Sequence, residues 1–115
     1  MDTLNELRDA QRAFAAERDW DRFHTPKNLA MALAAEAGEL LEPFQWLTPE
    51  QSANPDGQAR QAIREELADV LLYLVRLADR LDIDLAAAAR DKLARNAEKY
   101  PAGRVRGKAD KCDAY

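Results

Sequence analysis

Only one of the 115 residues is a cysteine, Cys112, so the chain cannot form an internal disulfide and suits a reducing compartment such as the cytoplasm. Glycine and proline together number nine. That scarcity, with leucine and alanine abundant, argues against a turn-rich sheet fold and for helices. There is no excess of basic charge: 17 Lys and Arg face 21 Asp and Glu, a formal charge of -4. Nothing in the bulk electrostatics recommends DNA or RNA as a partner. Long hydrophobic runs are missing too. The longest, such as Val70 to Val75, fall far short of the roughly 20 residues of a membrane span. The start Met-Asp-Thr-Leu-Asn-Glu has neither the basic nor the apolar region of a secretory signal. Histidine occurs once, as His24.

What is present fits one soluble globular domain over 1–115, at 47% hydrophobic and 33% charged residues. Four helical segments are expected. The first opens at Thr3-x-x-Glu6, which has the form of a capping box, and carries Leu4, Leu7, Gln11 and Phe14 on one face. The second starts at the Thr25 cap with Pro26 in its first turn and runs towards Trp46. Its apolar stripe is Leu29, Leu33, Leu40 and Phe44, and Pro43 predicts a kink or an early end. Leu47 to Gly57, with its Thr-Pro, Asn-Pro and Asp-Gly steps, reads as a loop. The third segment runs from about Gln58 to Leu81 and is apolar nearly all round in its middle. In so small a domain this predicts an oligomer whose interface completes the core. Asp84 caps a fourth helix ending near Lys99 before Pro101, and about 102–115 reads as a loop-like or mobile tail. The expected fold is an all-α antiparallel helical bundle.

Two acidic pairs stand out. Glu36 and Glu39 are three apart on the second segment, Glu66 and Asp69 three apart on the third, so each pair projects from one side of its helix. Counted from the connecting loop, both pairs lie on the order of 10–12 Å along an antiparallel hairpin and face one another. Glu36 falls inside an apolar stripe and Glu66 beside one, where an unpaired carboxylate is costly. Divalent cations relieve this, and all-oxygen ligation suits Mg²⁺ or Mn²⁺ better than zinc. The plain alternative is a solvated face neutralised by Arg64 or Arg76. A di-iron bundle is excluded because no glutamate is followed three residues later by His24.

The pattern E-x-x-E, 26 residues, E-x-x-D resembles the metal signature of the all-α nucleoside triphosphate pyrophosphatases, the MazG-like superfamily. Phe14 to Trp20, Phe23 to Leu29, Gly38-Glu39-Leu40, Phe44-Gln45-Trp46 and Lys99-Tyr100-Pro101 look like its dCTP pyrophosphatase branch. The likeness runs from about Leu4 to Lys111. It implies Mg²⁺-dependent hydrolysis of a nucleoside triphosphate, dCTP or a modified cytosine nucleotide, to the monophosphate and pyrophosphate. Glu36, Glu39, Glu66 and Asp69 would hold the ions, with Glu36 or Glu39 also acting on the attacking water. Lys92, Asn96 and Lys99, at i, i+4 and i+7, would contact the phosphates. Trp20, Trp46 and Tyr73 would stack on the base, with His24 and Gln11 offering hydrogen bonds. A homodimer or a homotetramer is implied as well. The same chemistry on dUTP or another non-canonical nucleotide, and a non-catalytic oligomerisation or regulatory module, remain as alternatives. Three positions depart from the pattern: Gln11, where some relatives carry histidine, Pro43 in a stretch usually helical, and Cys112, where tyrosine is usual.

Overall fold

The computed structural model describes residues 3–109, so Lys111 and Cys112 lie outside the described residues. Those described are helical with no strand: α1 (Thr3–Glu17), a 3-10 turn (Asp21–Phe23), α2 (Pro26–Leu41), α3 (Pro49–Ser52), α4 (Gly57–Arg80), α5 (Leu85–Lys99) and α6 (Ala102–Val105). The all-α architecture and its four long helices are as the sequence predicts. The chain divides into two compact units at Ile83/Asp84. In the first, α4 is the central element: α2 packs along it most extensively, and α1 packs beside it. The second unit holds α5 and α6.

Local chemistry sets most of the boundaries. The Thr25 hydroxyl accepts from the Asn28 amide at 3.2 Å and Asp84 from Ala87 at 3.0 Å, so both expected caps are in place. Asp56 does the same for α4, accepting from Ala59 at 2.9 Å. Thr3, expected to cap the first helix, is itself helical and is the first described residue. α2 stops at Leu41, two residues before Pro43, and the chain continues in turns bonded Phe44 to Leu41 and Leu47 to Phe44. The Leu47 to Gly57 stretch, expected as loop, contains α3, with a reciprocal capping box between Thr48 and Gln51. The expected loop-like tail likewise begins with the helical turn α6.

Two helix ends use aspartate where glycine is commonest. Asp19 and Asp82 adopt φ of 54° and 55°. After α1, the amides of Trp20 and Asp19 bond back to Ala15 and Ala16. After α4, those of Ile83 and Asp82 bond to Ala78 and Asp79. Both are Schellman ends, and aspartate tolerates the left-handed conformation better than most side chains. The first one turns the chain so that the Trp20 ring meets Phe14 edge-on at 5.7 Å.

The buried apolar set among the described residues is small: Ala15, Leu29, Val75 and Ala78. Leu67, Leu71 and Leu74, spaced i, i+4 and i+7 on α4, are all exposed. Leu29, at 2% exposure, is the one large side chain fully enclosed among the described residues. Leu29→Ala is therefore expected to lower unfolding free energy by about 2–5 kcal/mol, read as a fall in the denaturant midpoint at unchanged slope.

Candidate functional site

The packing of α2 on α4 brings the two acidic pairs together. Glu36, Glu39 and Glu66 each place a carboxylate oxygen within 4.8 Å of the others. Glu39 is only two residues from the end of α2, not seven, because that helix stops early. The turns through Leu47 make up the remaining distance, so the pairs still meet. Glu36 and Glu66 are half-buried and Glu39 is exposed. One oxygen of Glu36 and one of Glu66 are enclosed with no hydrogen-bond partner. Asp69 is not in this group of three, but its charge acts on Glu36. No ion pair among the described residues involves any of the four acids. Arg76, one of the arginines considered as their neutraliser, is bonded elsewhere.

Crowding shows in the acidities. The Glu36 carboxyl is held above the usual range, first because its protonated form can hydrogen-bond to Glu66, then by burial and by the charges of Glu66 and Asp69. Glu39 is also raised, chiefly by the charge of Glu36. All-oxygen, with two enclosed unpartnered oxygens and no ion pair among the described residues, the cluster fits a hard divalent cation.

Beside it lies a cavity of about 260 Å³ lined by Gln11, Phe14, Trp20, His24, Asp69, Leu72, Tyr73 and Arg76. The structure thus gathers four of the expected base-contacting residues, Gln11, Trp20, His24 and Tyr73, and adds Asp69, which links the cavity to the acidic cluster. The Gln11 amide nitrogen is buried without a partner. The Phe14 ring is braced by the Arg18 guanidinium 3.7 Å from its centre. Trp20 also meets His24 edge-on at 6.2 Å.

Other expectations fall differently. Trp46 is 87% exposed and does not line the cavity, because α2 ends before it. Lys92 and Lys99 are exposed and Asn96 half-buried on α5, in the second unit. Sequence reasoning missed Phe14, Leu72 and Arg76 as lining residues. The signal was available: Asp69, Leu72, Tyr73 and Arg76 recur at three- and four-residue steps along one face of α4.

Comparison with known proteins gives a consistent result. Residues 31–112 match the profile of the MazG-like family. The chain is 47% identical over 114 residues to dCTP pyrophosphatase 1 of Rattus norvegicus and 46% identical over 112 residues to that of Homo sapiens. Each match covers 95% of this chain, which spans only 65% of the length of each relative. A solved pyrophosphatase from Archaeoglobus fulgidus superposes with a TM-score of 0.82 at 38% identity, covering 88% of this chain and 94% of that one.

A raised carboxyl pKa means that the folded chain holds a proton the unfolded chain would release. Metal-free stability from this cluster therefore falls as pH rises through the folded-state pKa values of Glu36 and Glu39. In chelator, Glu36→Gln should melt above the wild type at neutral pH. The gap should shrink as pH falls to about the ordinary glutamate value, near 4.3. Melting curves of the two proteins across pH check this.

Proposed function

The chain belongs to the MazG-like family, and we propose that it is a Mg²⁺-dependent nucleoside triphosphate pyrophosphohydrolase. Its substrate on this reading is dCTP or a modified cytosine nucleotide, released as the monophosphate and pyrophosphate. The observation that carries the reading is the juxtaposition of two sites. Carboxylate oxygens from two helices converge within 4.8 Å, and an aromatic cavity shares Asp69 with their electrostatic field.

Mg²⁺, or Mn²⁺ in its place, would clamp phosphate oxygens and stabilise charge developing on the α-phosphate and the leaving pyrophosphate. Glu36, Glu39, Glu66 and Asp69 are the residues that would hold it. Glu36 and Glu39 are also the two candidates for orienting the attacking water and accepting its proton, since crowding raises the proton affinity of both. The water attacks the α-phosphorus, the bond to the β-phosphate bridging oxygen breaks, and pyrophosphate departs. Trp20 and Tyr73 sandwich or edge the base, and Gln11 and His24 meet its polar groups. For Lys92, Asn96 and Lys99 we propose the phosphate-binding role that the family resemblance implies. Trp46, exposed and outside the cavity, is also proposed to stack on the base.

A second substrate is favoured by one feature. The Gln11 side chain offers a donor and an acceptor that exchange places on a flip of the amide, so it can address uracil as well as cytosine. The same chemistry on dUTP is thus the runner-up.

We also propose a homodimer or homotetramer, because Leu67, Leu71 and Leu74 leave an apolar stripe on α4 that a second copy would cover. Among the described residues no helix is long and apolar enough to cross a membrane.

Pyrophosphate release from a panel of canonical and modified triphosphates, with Mg²⁺ and with chelator, tests the function. Release is expected to be fastest for a cytosine nucleotide and absent in chelator. Glu36→Gln should lower turnover by about 10²-fold or more, since losing even an outer-shell partner costs 10–100-fold. Trp20→Ala should raise KM by about 5- to 100-fold, the range of one base–aromatic stack. No release from any nucleotide would leave a non-catalytic oligomerisation or regulatory module. A monodisperse monomer by light scattering at micromolar concentration would refute the assembly.

A further inference from the structure

Arg76 is the one charged residue buried among the described residues, at 4% exposure, and it sits in the wall of the cavity. Its guanidinium donates in three directions. Nε donates to Nδ1 of His24 at 3.1 Å, Nη2 to the Asp21 carboxylate at 2.6 Å, and Nη1 to Asp79 at 3.4 Å. Asp79 is in turn gripped by Arg12 of α1 through two bonds, and the His24 carbonyl accepts from Arg80 at 3.2 Å. The histidine ring is thus fixed from α4 by a side chain that is itself pinned to α1 and to the 3-10 turn.

Arginine has donors only, so a ring nitrogen that receives its N–H must present a lone pair. We infer that Arg76 is a positioning residue that fixes His24 in the neutral form with its proton on Nε2, so that the cavity offers the nucleotide an N–H donor there and never an acceptor. The surrounding charges agree. Burial and then the Arg76 cation push the His24 pKa down, Asp21 pulls it up, and Arg80 adds a lesser push down. A second ring proton would also point at the Arg76 Nε–H and break the bond. For the ligand, the consequence is a requirement for an acceptor, a carbonyl, sugar or phosphate oxygen, opposite Nε2. This rests on the nucleotide-binding reading of the cavity, but the ring tautomer does not.

His24 is the only histidine in the chain, so a histidine-labelled sample gives one set of imidazole signals. Long-range ¹H–¹⁵N correlation spectra of the wild type at neutral pH should show a pyridine-type Nδ1 and a pyrrole-type Nε2 without averaging. A protonated Nδ1, or two averaged nitrogens, overturns the inference. Adding dCTP in chelator should shift the Nε2 proton; binding that leaves it unmoved would overturn the donor role. These readouts need neither turnover nor a variant. In Arg76→Lys the signals should average, and KM should rise about 3- to 10-fold, the loss of one hydrogen bond. In a His24→Phe background the same change should raise KM no further. An equal rise in both backgrounds would make Arg76 a structural residue only. Failure of every nucleotide to bind, with the tautomer as expected, would refute the cavity's function and leave Arg76's hold on the ring intact.

Discussion

Carboxylate oxygens that face one another, shut off from water and from any donor, raise the free energy of a fold unless a cation lies among them. Glu36 and Glu66 are in that position, on two helices whose packing is the most extensive among the described residues. Moving either residue one step around its helix would release the tension and also dissolve the site. The packing of α2 on α4 is what brings these acids together. Stability is given up locally for a place where a hard cation binds without further rearrangement.

The cavity next door is organised by the opposite charge. A single buried guanidinium, Arg76, ties the 3-10 turn, His24 and α4 together, and through Asp79 and Arg12 it reaches α1. Breaking one arm would leave a buried charge partly uncompensated, which is why such a knot is rigid even where it adds little net stability. Asp79 is kept well ionised, first by its bonds to Arg12. Its contribution holds at neutral pH and is lost only as pH falls through its depressed pKa, the reverse of the Glu36 cluster. The two halves of the site therefore respond to pH in opposite senses.

Much of this was legible in the sequence because it depends on local rules. Thr25 and Asp84 announced their helices, Pro43 announced an end, and the i, i+3 spacing of the acids placed them on facing sides. The remainder depends on what the chain does after a helix stops. Asp19 and Asp82 close their helices in a conformation usually signalled by glycine, so the turn that folds Trp20 onto Phe14 carried no visible mark. Trp46 is expected at the base by family resemblance alone; α2 ends before it, and in this structure it stands exposed outside the cavity. Arg76 was weighed as a partner for the acids, and besides Asp79 on its own helix its partners, Asp21 and His24, are more than 50 residues away. Such pairings follow from tertiary packing and leave no periodicity behind.

Crystals grown with Mn²⁺ and a non-hydrolysable cytosine nucleotide address the central claim most directly, through the anomalous signal of the metal. A peak bounded by the carboxylates of Glu36, Glu39 and Glu66 is expected, lost in Glu66→Gln, with the base seated against Trp20. A nucleotide ordered in the cavity with no ion among those carboxylates would contradict it.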